Sequence, residues 1–361
     1  MNKLIIFALF VFIALQGCAQ KTRTEHVFLI TLDGLRWQEV FGGADSTLIG
    51  DKDYVENPDE LKELFWSVGA EERRMRLMPF FWSVIAEKGQ LYGNRWKGSK
   101  VNTTNQMWFS YPGYNEILSG FADDSRIDSN DKVPNPNETV LEYINKQQDF
   151  QGKVAAFGSW DVFPFIINEE RSGIPVNAGF EKSADQPLTE KEVFLNKLQD
   201  EIPSPWGSVR LDAFTHHFAM EYVKKHRPRL LYIAYGETDD FAHDGEYDQY
   251  LKSAHQTDQF IKELWQYIQS TEGYKDKTTM IITTDHGRGT EPKDTWKSHG
   301  TEINDADQIW IAALGPDTEP LGDNIKGQFY QNQIAATVAR ALGIEYKHAK
   351  SGKRITMITN K

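Results

Sequence analysis

Three apolar segments of this chain are each followed closely by side chains that bind metal ions. HVFLITL precedes Asp33, LLYIAY precedes Asp239 and His243, and MIITT precedes Asp285 and His286. Apolar runs of this length indicate strands that are buried on both faces of a parallel sheet. Ligands of such sheets bind beyond the carboxyl ends of the strands. The pattern therefore predicts an α/β fold with a binding site at one edge of its sheet.

The remaining segments favour a mostly parallel central sheet with helices on both faces. Further strands are predicted at 154–157 and 309–314, and helices at 78–87, 114–119, 139–147, 208–225, 247–269 and 331–342, with Asn137 as the N-cap of the third. The helix at 247–269 is the clearest, because its apolar residues follow the spacing of one helical face. Residues 160–206 are rich in proline, glycine and charge, and we expect a cap or insertion there.

The amino terminus has the features of an export signal. An apolar run from Leu4 to Leu15 is too short to span a bilayer and ends in LQGC, which resembles a bacterial lipobox. We expect a signal peptide at 1–17, a lipid on Cys18, a tether at 18–25, a folded domain at 26–345 and a tail at 346–361. An ordinary cleaved signal is the alternative. The expected product is a periplasmic or cell-surface lipoprotein of a bacterial outer membrane, held only by its lipid anchor.

Charge and cysteine content exclude some functions. The chain carries 52 acidic and 40 basic residues, for a formal charge of −12. This balance argues against stable nucleic-acid binding, which requires a basic surface. It does not exclude phosphate-bearing substrates, since bound metal ions invert the local field. Because Cys18 is the single cysteine, no intramolecular disulfide can form, and a thiolate metal ligand is not expected.

The carboxylates and imidazoles together suit two divalent cations. The six candidate ligands are Asp33, Asp239, His243, Asp285, His286 and His299. Zinc is the first choice for mixed oxygen and nitrogen ligands, and manganese is the alternative. Paired metal ions favour hydrolysis, since they stabilise both the attacking and the leaving oxygen.

Each of these residues has an ordinary alternative role. Asp33 before Gly34 is typical of a turn, and His299 alone is an unremarkable loop histidine. Asp239 lies four residues before His243 and Asp240 lies three, so either carboxylate can share a helical face with that imidazole. The sequence leaves this choice open.

Ser110 is the candidate nucleophile. It lies in NQMWFSYPGYNEILSG, before a helix-like run. A hydroxyl at the amino-terminal end of a helix is close to unpaired backbone N–H groups, which favour binding of an anionic phosphate. From composition alone, a helix N-cap or a turn serine is the better explanation of this residue.

The order of these motifs resembles the alkaline phosphatase superfamily. LDGLRW is followed by SYP, by Gly120 ten residues after the serine, by DxxxH, by TDHG and by a late HG. Within the superfamily the chain is most similar to the nucleotide pyrophosphatase/phosphodiesterase branch, over residues 26–345. The resemblance implies that Asp33, Asp285 and His286 hold one metal ion beside Ser110, whose hydroxyl is counted among the metal ligands. It implies that Asp239, His243 and His299 hold the second. It implies a phosphate contact from Asn130, with Asn135 as a weaker alternative.

The resemblance implies hydrolysis of a small, nucleotide-like phosphoester through a covalent phosphoseryl intermediate. Phosphodiesters or pyrophosphates are the first choice, and phosphomonoesters the second. A sulfatase is less favoured, because Tyr114 stands where the C/S-x-P-x-R motif has arginine. An inactive binding lipoprotein is the non-enzymatic alternative. The family often has threonine at position 110 and asparagine at position 113, and the glycine at 113 leaves the substrate class open.

Overall fold

The computed structural model describes residues 22–359. The predicted signal peptide and Cys18 lie outside the described residues. Within that range, no helix combines the length and the apolar character needed to cross a bilayer.

Ten strands of the described range form two sheets. They are β1 (His26–Leu32), β2 (Gln90–Tyr92), β3 (Ser99–Asn102), β4 (Val154–Gly158), β5 (Val176–Ala178), β6 (Leu230–Tyr235), β7 (Thr278–Thr283), β8 (Gln308–Ile309), β9 (Ile311–Leu314) and β10 (Gly327–Tyr330). The large sheet has the order β2-β9-β7-β1-β6-β4-β5, and the small sheet has the order β10-β3-β8. In the large sheet only β9 runs against its neighbours. The predicted mostly parallel sheet is therefore confirmed.

Thirteen α-helices of the described range surround the large sheet. They are α1 (Trp37–Gly42), α2 (Pro58–Phe65), α3 (Ala70–Leu77), α4 (Ala86–Lys88), α5 (Ser110–Ser119), α6 (Val140–Asn145), α7 (Phe163–Ile166), α8 (Glu169–Ser172), α9 (Glu190–Glu201), α10 (Asp212–His226), α11 (Glu237–Asp244), α12 (Tyr247–Ser270) and α13 (Ile334–Ala341). A π-helical segment, Phe81–Ile85, precedes α4, and 3₁₀ turns occupy Arg95–Lys97, Lys293–Lys297, Gln331–Gln333 and Thr356–Thr359.

The central strand β1 shows why helices cover both faces of the sheet. Its residues are almost all buried, and successive side chains of a strand point to opposite faces. Phe28 and Ile30 pack in the core that contains α10 and α12. Val27 and Leu29 pack in the core that contains α5, α6 and α13. The expectation of helices on both faces is confirmed.

Several predicted boundaries differ from the structure. Helix α6 begins after Thr139, whose side chain accepts a hydrogen bond from the Glu142 backbone at 3.1 Å, so Asn137 is not the N-cap. The predicted strand at 309–314 is divided at Trp310, whose indole donates to the Leu35 carbonyl at 2.9 Å. Its two halves belong to different sheets. Helix α5 begins at Ser110, four residues before its predicted start.

The segment 160–206 contains α7, α8, α9 and β5. Strand β5 pairs in parallel with β4, with Phe157 opposite Asn177, and so forms one edge of the large sheet.

Candidate active site

The candidate site lies where three adjacent central strands end. Asp33 directly follows β1, Asp285 lies two residues after β7, and α11 begins two residues after β6. Because β7, β1 and β6 are neighbouring parallel strands, their carboxyl ends meet at one edge of the sheet. This edge is where parallel sheets bind ligands.

Asp33, Asp285 and His286 form a buried group, which we call the inner triad. The His286 Nε2 atom lies 3.3 Å from Asp33 Oδ1 and 3.4 Å from Asp285 Oδ2. Asp285 and His286 are fully buried, and Asp33 is 5% exposed. The structure therefore brings these three predicted ligands together.

Asp239, His243 and His299 form a second group beside it, the outer triad. Asp239 Oδ2 lies 3.3 Å from His243 Nε2, which is 2.9 Å from His299 Nε2. Asp239 Oδ1 is 3.6 Å from His286 Nε2, so the two triads share one cleft. Asp239 and His243 share a face of α11 because they are four residues apart. The Asp240 carboxylate lies beside Gly236 instead.

Two imidazoles are oriented by backbone carbonyls. His286 Nδ1 lies 3.0 Å from the Gly287 carbonyl, and His299 Nδ1 lies 3.2 Å from the Trp108 carbonyl. A carbonyl oxygen can only accept, so each Nδ1 donates and each Nε2 is left facing the carboxylates. Metal-binding histidines are commonly held in this way.

No lysine or arginine of the described residues forms an ion pair with the inner-triad carboxylates. Asp33 Oδ1 and Asp285 Oδ2 are buried and have no hydrogen-bond partner among the described residues. Burial raises the pKa of both carboxyls well above the usual value, and the charge of a neighbouring aspartate adds to this. Such unpaired oxygens beside an imidazole nitrogen fit a divalent cation bound by mixed oxygen and nitrogen ligands.

Arg288 supplies part of the missing charge in the outer triad. Among residues 22–359, it is the only lysine or arginine that forms an ion pair with the triad carboxylates, and its partner is Asp239. Burial acts to raise the pKa of Asp239, but Arg288, His243 and His299 hold it well below the usual value. The Arg288 guanidinium also donates to three backbone carbonyls, those of Gly34 at 3.2 Å, Lys297 at 2.6 Å and Asp239 at 3.0 Å.

Gly34 lets the triads approach each other. Its φ of 58° lies in the left-handed region, and an added Cβ would be 2.7 Å from Asp239 Oδ1. Its backbone N–H donates to Asp285 Oδ1 at 3.1 Å. A side chain at this position would separate Asp239 from the inner triad.

Ser110 lies at the first position of α5, against the inner triad. Its Oγ atom is 3.4 Å from His286 Nε2, and the residue is 5% exposed. The next backbone N–H, of Tyr111, donates to Asn130 Oδ1 at 2.9 Å, so the exposed Asn130 lies at the same helix end. Asn135 is buried and donates to Asn115 Oδ1 and to the Ile166 carbonyl, so it has a structural role.

The glycine at position 113 has a steric cause. A Cβ there would lie 2.5 Å from the Asp285 carbonyl oxygen. Helix α5 can therefore pack against the end of β7 only when position 113 has no side chain. The asparagine that the family often has at this position would force α5 away from Asp285.

Sequence reasoning missed several residues that support the site. Tyr114 is fully buried and donates its hydroxyl to Asp33 Oδ2 at 2.7 Å. Its spacing from Ser110 is one helical turn, which was a usable signal. Arg288 lies two residues after His286, within the motif itself. Their specific partners, Asp33 for Tyr114 and Asp239 for Arg288, depend on contacts between distant segments.

A chain of hydrogen bonds, the Glu116 network, connects α5 to the outer triad. The buried Glu116 carboxylate accepts from the Asn105 backbone and side chain, both at 2.8 Å. Asn105 Oδ1 accepts from the Trp108 N–H at 3.0 Å, and the Trp108 carbonyl accepts from His299. Trp108 has a φ of 51°, which few non-glycine residues adopt. The network holds this strained residue in place.

The fold is shared with solved hydrolases at low sequence identity. The alkaline phosphatase PafA matches with a TM-score of 0.60 and 10% identity, covering 94% of this chain and 99% of PafA. A putative sulfatase from Bacteroides thetaiotaomicron matches with a TM-score of 0.59 and 12% identity, covering 94% and 75%. The phosphonate monoester hydrolase SpPMH from Silicibacter pomeroyi matches with a TM-score of 0.55 and 13% identity, covering 94% and 77%. At these identities the likeness shows the fold alone.

A comparison with curated protein sequences found no match. The sequence model of one family, type I phosphodiesterase / nucleotide pyrophosphatase, matches residues 51–327. The matched range is more than half of the chain and contains Ser110 and the outer triad, while Asp33 precedes it. Enzymes of this kind hydrolyse phosphoester bonds. The chain belongs to the type I phosphodiesterase / nucleotide pyrophosphatase family.

Proposed function

We propose that the protein is a metal-dependent phosphodiesterase that acts through a phosphoseryl intermediate on Ser110. One observation carries the proposal: Ser110 Oγ lies 3.4 Å from His286 Nε2, beside carboxylate oxygens that have no partner. A hydroxyl next to a cation-binding cluster suits nucleophilic displacement at phosphorus. Membership of a phosphodiesterase family supports this choice of reaction.

The two triads would each hold one divalent ion, zinc by preference and manganese as the alternative. Bound there, the ions would lower the pKa of the attacking hydroxyl and offset charge on the leaving oxygen. The donor sets are Asp33, Asp285 and His286 for one ion, and Asp239, His243 and His299 for the other.

Helix α5 and Asn130 would orient the phosphate. The amino end of α5 carries partial positive charge, which favours an anionic group beside Ser110. The Asn130 side-chain oxygen is already bound by the Tyr111 N–H. Its amide nitrogen therefore remains to donate to a non-bridging phosphate oxygen.

The reaction would proceed in two displacements. Ser110 Oγ forms a bond to phosphorus while the bond from phosphorus to the leaving alcohol breaks, and the alcohol leaves with a proton. Water then attacks the phosphoserine, which releases the phosphate product and restores the hydroxyl. Most of the rate enhancement would come from positioning and charge stabilisation, as in other phosphoryl transfers.

Charge favours phosphodiesters over phosphomonoesters. A monoester brings close to two negative charges at neutral pH, and a diester brings one. Among residues 22–359, Arg288 is the only lysine or arginine that pairs with the triad carboxylates, and it is already bound to the Asp239 carboxylate and to three backbone carbonyls. Sulfate monoesters also carry one charge. They are disfavoured because Tyr114 donates to Asp33 where the sulfatase motif places arginine.

The test compares Ser110→Ala with Ser119→Ala on nitrophenyl esters. Ser119 is a buried serine of the same helix, and its hydroxyl donates to the Phe121 carbonyl at 3.1 Å. We expect Ser110→Ala to lower phosphodiesterase turnover by about 10³-fold or more and to retain metal, with Ser119→Ala near wild type. Acid quenching of the reaction with a diester should trap on Ser110 of the wild type a phosphoryl group that still carries the second ester substituent.

The same assay distinguishes the other candidate functions. Phosphate diesters, phosphate monoesters and sulfate esters are tested with and without chelator. Faster turnover of phosphate monoesters or sulfate esters would show that these esters, and not phosphodiesters, are the substrate class. Full activity of Ser110→Ala would reject the nucleophile. Absence of both bound metal and activity would favour a binding lipoprotein.

A further inference from the structure

Tyr114 lies between the nucleophile helix and the inner triad. It follows Ser110 by one turn of α5, and its ring is fully buried. The ring packs edge-on against Phe163, with 4.8 Å between the centroids. Phe163 in turn lies against Gly158, where an added Cβ would be 2.3 Å from the phenyl ring. The tyrosine ring is therefore held from behind, and its hydroxyl is directed at Asp33.

The hydrogen bond from Tyr114 divides the two oxygens of Asp33 between different roles. Oδ2 accepts from the tyrosine hydroxyl at 2.7 Å. Oδ1 has no hydrogen-bond partner and lies 3.3 Å from His286 Nε2. A carboxylate fixed in this way presents a single oxygen to the cluster. Without the hydroxyl, Oδ2 would be buried and unpaired, or the carboxylate would rotate.

A phenol achieves this orientation without adding charge. A guanidinium at the same position would form an ion pair with Asp33 and reduce the negative charge available to a cation. Tyr114 is the residue that occupies the arginine position of the C/S-x-P-x-R pattern in this chain. It therefore leaves the whole charge of Asp33 for a bound ion.

We propose that Tyr114 is a positioning residue that holds Asp33 as a one-oxygen ligand and fixes Ser110 relative to the inner ion. The inference rests on the proposed function, since it assumes that the inner triad binds a metal ion. Groups that hydrogen-bond to metal ligands typically contribute about 10–100-fold to metal affinity. We expect the Tyr114 hydroxyl to strengthen metal binding by a factor in this range.

The test removes only the hydroxyl, with Tyr114→Phe, and measures zinc affinity by competition with a chelator. The matched control is Tyr274→Phe, because Tyr274 is also buried and donates to the Pro228 carbonyl at 3.1 Å. Pro228 precedes β6, so this contact lies at the opposite edge of the sheet. We expect about 10–100-fold weaker zinc binding in Tyr114→Phe alone, with lower kcat, little change in KM and recovery in excess zinc.

Measuring affinity in a Ser110→Ala background separates this inference from the proposed function. If Tyr114→Phe weakens zinc binding there but the wild type hydrolyses no phosphodiester, the proposed function fails and the positioning role stands. Zinc affinity within about twofold of the parent, or equal losses in both tyrosine variants, would overturn the positioning role.

A second variant shows whether the Tyr114 hydroxyl acts through Asp33. Asp33→Asn removes the acceptor charge that Tyr114 orients. In a double-mutant cycle, Tyr114→Phe should then have little further effect on zinc affinity, since the two residues act through one contact. Additive losses would show that the hydroxyl does not act through Asp33.

Discussion

The inner and outer triads use the same side-chain chemistry but are held in place differently. Asp33 and Asp285 lie at the ends of adjacent central strands, so the register of the sheet sets their separation. The outer triad lies on α11 and on the loop that carries His299, and the His243 side chain is 46% exposed. Its geometry depends on loops and on the Glu116 network. We therefore expect the inner ion to be retained and the outer ion to exchange more readily.

The comparison predicts unequal losses from single ligand changes. Asp285→Asn should lower kcat/KM by about 10³-fold or more, because a buried charged ligand beside Ser110 is lost. His243→Ala should cost less, about 10²-fold, and excess zinc should restore part of the activity, since the site is open to solvent. Steady-state kinetics with metal analysis of each purified variant measure both effects.

Equal losses in the two variants, with equal loss of metal, would show that the triads act as one unit. Rescue of Asp285→Asn by zinc would contradict the assignment of a tightly held inner ion.

A substitution in the Glu116 network should have a smaller and more selective effect on metal binding than the loss of a ligand. Asn105→Ala removes the side chain that binds both Glu116 and the Trp108 N–H, so the carbonyl that orients His299 should lose its position. We expect about 10–100-fold weaker binding of the outer ion, with binding of the inner ion unchanged. Stepwise chelator titration of metal content measures this.

Asn145→Ala is the matched control, because Asn145 also bridges backbone groups, those of Ser172 and Gly152, away from the site. Loss of both ions in Asn105→Ala, or equal effects in the control, would reject the selective role of the network.

The same contrast explains how much of the site the sequence predicts. Asp33, Asp285 and His286 follow apolar strands, so the rule for parallel sheets is enough to group them. The choice between Asp239 and Asp240 depends on where α11 begins, because the side chains of consecutive helical residues are rotated by about 100° relative to each other. The sequence could not supply that boundary. The structure places Asp239 in the cleft.

Other differences come from contacts between distant segments. Trp310 interrupts a predicted strand because its indole binds the carbonyl of Leu35. Thr139 and not Asn137 caps α6, since the Asn137 side-chain oxygen, the atom that a cap would use, accepts from Arg126 instead. Local patterns predict which segments are strands and helices. They do not determine which polar groups find partners across the chain, and those partners decide where elements end.

The smallest expected effect concerns Asp240, at the margin of the outer triad. Burial, with the charges of Asp239 and Asp33, raises the pKa of Asp240 to about 9. The folded metal-free protein therefore holds a proton on Asp240 that the unfolded chain releases above its ordinary pKa of about 4. The free energy of unfolding should fall as pH rises between these two values, because the folded state binds more protons.

Asp240→Asn removes this titration and leaves all six ligands in place. The stability of the metal-free variant relative to wild type should increase from pH 6 to pH 9, while its metal content after reloading stays unchanged. Urea unfolding at several pH values, followed by metal analysis, measures both quantities. A pH-independent difference would show that Asp240 is ionised in the fold. Loss of metal would place Asp240 among the ligands, and Asp239 would then serve mainly as the partner of Arg288.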